Sequence, residues 1–165
     1  DRLPPVATRG VLLDIAKLMK TNILPAGTAF NKAEIDAAAK AAGITIEAGD
    51  VVLFHTGWLN VMDKDPEAFM ASAPGLGLEG ARYLASLGVV AVGADTWALE
   101  VLPSEDATML FPVHPELLAK NGIYILENMD TRALAADNAN EFLFVLGTPR
   151  FVGAVQAVIN PVAIR

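Results

Sequence analysis

"GLEGARYLASLGVVAVGAD", residues 77–95, decides the fold class. Its first part carries a helix pattern, Gly88 sits where a left-handed stop is needed, and "VVAVGAD" (89–95) is a short apolar run of the kind a sheet buries on both faces. A helix that halts on glycine and turns into a buried strand is the repeating unit of an α/β protein.

The same unit recurs upstream. "NKAEIDAAAKAAG" (31–43) reads as a helix with Asn31 as its cap, Glu34 at the capping-box position and Gly43 as its stop. "AGD" then makes a turn, and "VVLFHTGW" (51–58) is a buried strand candidate rich in Val, Leu and Phe. Ahead of the helix, "GVLLDIA" (10–16) is a short apolar strand candidate, and the stretch from 59 to 73, rich in Met, Asp and Pro, reads as a loop. Downstream, "PELLAKNG" (115–122) is a short helix ending on Asn-Gly and "IYILEN" (123–128) a strand. "FLFVLG" (142–147) and "FVGAVQAVINPVAI" (151–164) are apolar and β-branched enough to be a closing pair of strands. With no internal repeat, low-complexity run or long linker, residues 1–165 read as a single mixed α/β domain.

Composition narrows the function. The chain is 53% hydrophobic, yet no stretch approaches the roughly 18 apolar residues of a membrane span, so the excess is expected to be buried in an oligomer interface or against further chain. A net charge of −7 with no basic cluster argues against nucleic-acid or anionic-membrane partners and leaves a small-molecule substrate as the expected ligand. There is no cysteine, which excludes disulfides, thiolate metal sites and cysteine nucleophiles, so any metal must be held by N and O donors. The opening "DRLPPVATRG" has no apolar signal core and no initiating Met; Asp1 reads as a processed or truncated start, and the cytoplasm is the expected compartment, with the true N-terminus unseen.

Chemistry-bearing residues are few. "GLGLEG" (75–80) has the spacing of a dinucleotide loop in Gly75, Gly77 and Gly80, but "FMASAP" precedes it where the mechanism needs a strand, so the competing reading is a flexible helix entrance. His55 closes a strand in "LFHTGW", where Trp58 could add an aromatic wall; the alternative is a hydrogen-bonded structural histidine. Asp95 could cap the turn after its strand, and Trp97 is either core or pocket wall. His114 and Glu127 flank a helix that turns the chain back, which places both at one end of the sheet; imidazole and carboxylate suit zinc or manganese. Against this, Glu127 could pair with Arg132 and His114 could cap the helix.

Four stretches in order, "GDVVLFHTGW", "LASLGVVAVGADTWALE", "HPELLAKNGIYILENMD" and "FVLGTPRFVGAVQAVINPVAI", resemble the C-terminal part of the putative cyclase family, the group that includes bacterial kynurenine formamidase and isatin hydrolase. The resemblance implies a swivelling β/β/α fold with a mixed sheet and short helices, and a dimer or tetramer. It also implies metal-dependent hydrolysis, with Zn or Mn, of an amide, lactam or related carbonyl. By position it gives His114 as a ligand of one ion and Glu127 as a bridge between two. His55, Trp58 and Trp97, read from the sequence itself, remain the candidates for the substrate pocket. The family's His-x-Gly-Thr-His-x-Asp cluster and its further catalytic His normally lie in the N-terminal portion, and this chain has no such cluster. No catalytic proton carrier is therefore assigned within the 165 residues, and the N-terminal part is expected to be missing. The chain would be the C-terminal piece of a cleaved protein, still associated with its N-terminal fragment or not, or a chain given from a late start. The rival expectation is a non-catalytic binding or assembly module that keeps the fold without a metal.

Overall fold

The computed structural model describes residues 3–165. Its elements in chain order are β1 (Val6–Asp14), α1 (Ile15–Leu18), β2 (Ala29–Phe30), α2 (Lys32–Ala42), β3 (Val51–His55), α3 (Leu59–Met62), α4 (Pro66–Ala71), β4 (Gly75–Leu76), α5 (Leu78–Leu87), β5 (Ala91–Ala94), a π-helix (Pro115–Lys120), β6 (Tyr124–Leu126), α6 (Arg132–Ala136), β7 (Glu141–Leu146) and β8 (Val162–Ile164). One sheet of six strands runs β6-β5-β3-β1-β7-β8, and β2 and β4 form a separate parallel pair. Strands β1, β3, β5 and β6 are mutually parallel, whereas β7 at one side runs antiparallel to β1, and β8 beyond it runs antiparallel to β7. The expected mixed α/β architecture with short helices is what the chain forms.

The parallel strands read as near-continuous apolar runs because both faces of the sheet are covered. On one face Val11, Leu13, Val52, Phe54, Val92 and Ala94 pack with Ile35 of α2, Leu84 of α5 and Leu117 of the π-helix. On the other, Leu12, Val51, Leu53, Ala91, Phe142 and Phe144 have thinner cover, from the partly buried Met129, Leu134 and Ile159.

Local signals that close within one turn of helix read correctly. The Asn31 backbone N–H donates to Glu34 Oε2 at 2.8 Å, and Gly43 and Gly88 end α2 and α5 with φ of 69° and 77°. Several boundaries differ from expectation. The strand expected at 10–16 starts at Val6, and its last two residues open α1, where the Asp14 carboxylate accepts from the Lys17 N–H at 2.8 Å. The supposed loop of 59–73 folds into α3 and α4; Asp65 caps α4, accepting from the Ala68 N–H at 3.0 Å, with Pro66 at the first helical position. The strand expected over 51–58 ends at His55, because Gly57 turns the chain at φ 77° with its α-carbon against the Asn22 carbonyl.

The strand expected over 151–164 shrinks to the three residues of β8. The segment ahead of β8 has no strand partner and includes Pro161, which cannot donate to a ladder. Phe151, Val152, Val155 and Val158 there are 69%, 87%, 98% and 98% exposed. The glycines of "GLGLEG" serve packing and not a phosphate turn. Gly75 belongs to β4 with its backbone against that of Glu100, Gly77 caps α5, and Gly80 lies on Leu76 and Phe30; the segment before them is α4, so the dinucleotide reading lacks its strand. Among the described residues no helix is long and apolar enough to cross a membrane.

Candidate functional site

The parallel strands present their C-terminal ends at one edge of the sheet, the place where open α/β sheets hold ligands. His55 is the last residue of β3, Asp95 follows β5 directly, and Glu127 follows β6. Hydrogen bonds from the Asn128 N–H to the Thr96 carbonyl, 2.9 Å, and from the Met129 N–H to the Ala94 carbonyl, 3.0 Å, hold the chain just beyond Glu127.

His114 arrives from the long connection after β5, at the entrance of the π-helix. That helix turns back so that the Ile123 N–H reaches the Leu117 carbonyl at 2.9 Å, and β6 then runs out to Glu127. The result brings His114 Nε2 to 3.3 Å from Glu127 Oε1. The bland alternatives do not hold: Arg132 pairs with Asp130 at 2.6 Å and with Asp63 at 3.0 Å, and the His114 side chain makes no capping bond to the helix it opens.

Sequence reading missed the residue behind His114. Glu100, only 1% exposed, contacts His114 Nδ1 through Oε1. Its two carboxylate oxygens also accept from the backbone N–H groups of Val113 and His114, both at 3.1 Å. The signal that could have found it is an acid set inside the apolar "ALEVL", where a carboxylate is too costly to bury without partners. Phe111 meets the imidazole edge-on with centroids 5.6 Å apart, and Trp97 meets Phe111 in the same way at 6.2 Å.

The hydrogen bond to Glu100, followed by that to Glu127, pushes the His114 pKa up to about 9 against the opposing effect of burial. The folded chain therefore binds this proton more tightly than the unfolded chain does. The pairing stabilises the fold fully below the ordinary histidine value of 6.5, and that contribution is lost as the pH rises through about 9. In chelator-treated protein we expect the unfolding free energy to drop across this window by on the order of 2 kcal/mol, a figure reduced for solvent screening of a partly exposed pair. His114→Asn should flatten the decline; denaturant melts at several pH values check this, and an equal slope in both proteins would count against it.

The same 3.3 Å separation suits a metal. Two ligands at ~2.0–2.1 Å from a tetrahedral zinc ion stand ~3.3 Å apart, and a metal-bound histidine usually donates its other N–H to a carboxylate, as His114 can to Glu100. His114 and Glu127 thus fit two positions of a shell that in catalytic zinc sites needs about three protein ligands. Among the described residues no group of three or more His, Cys, Asp or Glu is arranged to hold an ion.

His55 belongs to a different cluster. Its Nδ1 lies 2.8 Å from Thr131 Oγ1 and 3.5 Å from Asp95 Oδ2. Asp95 is fully buried and accepts from the Thr56 N–H (2.9 Å), the Thr56 hydroxyl (2.6 Å) and the Gly57 N–H (2.8 Å), so it holds the turn after β3 and not its own. Burial pushes the Asp95 carboxyl above its ordinary range, and the Thr56 hydroxyl and His55 oppose the rise. Because β3 and β6 are separated by β5, His55 and Glu127 stand roughly 10 Å apart along one edge. His55 also lines a wide cleft of about 690 Å³ with Lys17, Lys20 and Asn138. Trp58 is 6% exposed, stacks on Phe69 at 6.5 Å and donates to the Phe69 carbonyl, so it is packed as core. Trp97 is half-buried and connects through Phe111 to His114.

The sequence profile of the putative cyclase family matches residues 1–101. No curated protein matches the sequence. Among solved structures, the chain is similar to a novel cyclase at 28% identity and TM-score 0.84, covering 95% of this chain and 53% of that one. It is also similar to an isatin hydrolase bound to the product analogue thioisatinate, at 19% identity and TM-score 0.78, covering 96% and 60%. A third is a potential metal-dependent hydrolase with cyclase activity, at 21% identity and TM-score 0.64, covering 96% and 65%. The chain therefore spans between about half and two thirds of the length of these proteins. His114 and Glu127 lie beyond the residues matched by the profile, so their role is argued from geometry. With the profile covering more than half of its length, and the fold shared almost end to end with the cyclase, the chain belongs to the putative cyclase family.

Proposed function

We propose that this chain supplies one wall of a metal-dependent hydrolase site that acts on an amide, a lactam or a related carbonyl, a C–N bond other than a peptide bond. The observation that carries the reading is the convergence of His114 Nε2 and Glu127 Oε1 at the sheet edge, with the imidazole backed by a buried carboxylate. Support comes from the relatives whose names describe an isatin hydrolase and a potential metal-dependent hydrolase, isatin being a lactam.

His114 and Glu127 would hold the ion, zinc or manganese, as neutral nitrogen and anionic oxygen donors. Such an ion polarises a carbonyl and makes water acidic enough to supply a nucleophile near neutral pH. Glu100 keeps the imidazole ring in place, while Phe111 and Trp97 cover its flank and limit the access of water. Proton transfer is assigned to no residue of this chain.

The ligand is a small molecule, in keeping with the acidic balance of −7, and the assembly is a homo-oligomer, dimer or tetramer. What supports the oligomer is the apolar surface at the β7–β8 side: the segment from Phe151 to Val158, together with Leu143 (46%), Val162 (51%) and Ile164 (54%) exposed.

The test is chelation of the full-length protein, assayed on isatin and on an N-formyl aromatic amine. Hydrolysis should fall at least tenfold and return when zinc or manganese is restored. A folded oligomer that holds no metal and turns over neither substrate would favour the second reading, a non-catalytic binding or assembly module. That reading draws on the absence of a three-ligand group among the described residues.

A further inference from the structure

Glu100 sits between Leu99 and Val101, residues 0% and 3% exposed, and is itself sealed from water. A carboxylate in such a place is stable only if its oxygens are matched by donors. Among the described residues the natural match, a lysine or arginine, does not face it, and the ion pair Glu100 makes is with His114. Among the described residues its three donors come from two consecutive residues: the backbone N–H of Val113, the backbone N–H of His114 and the His114 ring at Nδ1. Main chain and ring of a single histidine are thus gripped by one carboxylate.

An ionised carboxylate only accepts, so the ring nitrogen facing it must carry the proton. The opposite tautomer would set the Nδ1 lone pair against a carboxylate oxygen at close contact. We infer that Glu100 is the positioning residue of the site: it keeps a proton on His114 Nδ1, so that Nε2, which donates to Glu127 when no ion is bound, is the nitrogen that gives up its proton and offers its lone pair to an ion. Building on the metal reading above, this also determines which nitrogen an ion can reach, because Nδ1 is closed off by a buried acid.

A merely structural Glu100, pinning the connection between β5 and the π-helix, would act on folding but would leave zinc affinity and the ring nitrogens unchanged. The test uses full-length protein and zinc alone, in competition with a chelator. Glu100→Gln, which keeps the size but places an amide group among donors, should bind zinc 10–100-fold more weakly than the natural protein. In ¹⁵N spectra of the natural protein loaded with zinc, His114 should show a protonated Nδ1 and a metal-shifted Nε2; this readout needs no variant and stands even if Glu100→Gln folds poorly. Zinc bound through Nδ1, or a Gln variant that binds within twofold of the natural protein with the same spectrum, overturns the inference. If the natural protein takes up no zinc, the metal reading fails by itself. Glu100 is then judged on the metal-free protein, where an Nδ1 proton protected from exchange upholds the grip and a freely exchanging one overturns it.

Discussion

Asp95→Ala is expected to lower the unfolding free energy by roughly 3–5 kcal/mol, the largest single loss of stability outside the apolar core. The carboxylate is 0% exposed and accepts three bonds from the neighbouring strand end, two from Thr56 and one from Gly57. Alanine would leave all three donors without a partner and open a void beneath a turn that already uses a positive φ at Gly57. For a domain of this size each kcal/mol is worth about 2–4 °C, so a melting temperature lower by on the order of 10 °C is the expected reading. Asp95→Asn keeps one acceptor and should cost about half as much. A loss below about 1 kcal/mol for the alanine variant would show that the turn holds without the carboxylate.

Glu127→Gln, made in the full-length protein, should reduce affinity for zinc or manganese by on the order of 100-fold, and hydrolysis with it. Glutamine keeps the shape and can still accept a bond from His114, so the fold should persist. What it removes is the negative charge, which is what a divalent ion gains most from in an otherwise neutral ligand pair. Metal content and hydrolysis are the two measurements, and unchanged values for both would end the assignment of Glu127.

The difference between what sequence revealed and what it hid follows from how far apart the interacting atoms lie along the chain. Asn31 with Glu34, and Gly43 and Gly88 as stops, are settled within a turn of helix, and α2 and α5 read almost to the residue. The parallel strands were legible because burial on two faces writes itself as a run of Val, Leu and Phe. The segment before β8 has similar composition, but whether it pairs depends on a partner strand that composition cannot see. His114 and Glu127 could be placed together because a single short helix and strand connect them. Glu100, 14 positions ahead of His114 along irregular chain with a positive φ at Phe111, leaves no periodic trace. The roles of Trp58 and Trp97 had the same ambiguity: a tryptophan after a strand looks alike in sequence whether it stacks on Phe69 or meets Phe111 edge-on.

Glu127, Asp95 and His55 all project from the last residue of a parallel strand or from the one after it. Their backbone is therefore immobilised by the ladder itself, and beyond Glu127 by the bonds to Thr96 and Ala94. The entropy of ordering these groups is spent when the chain folds and not when a ligand arrives. On the proposed reading, an incoming ion would meet groups that have little left to lose, and affinity at this edge could come from few contacts.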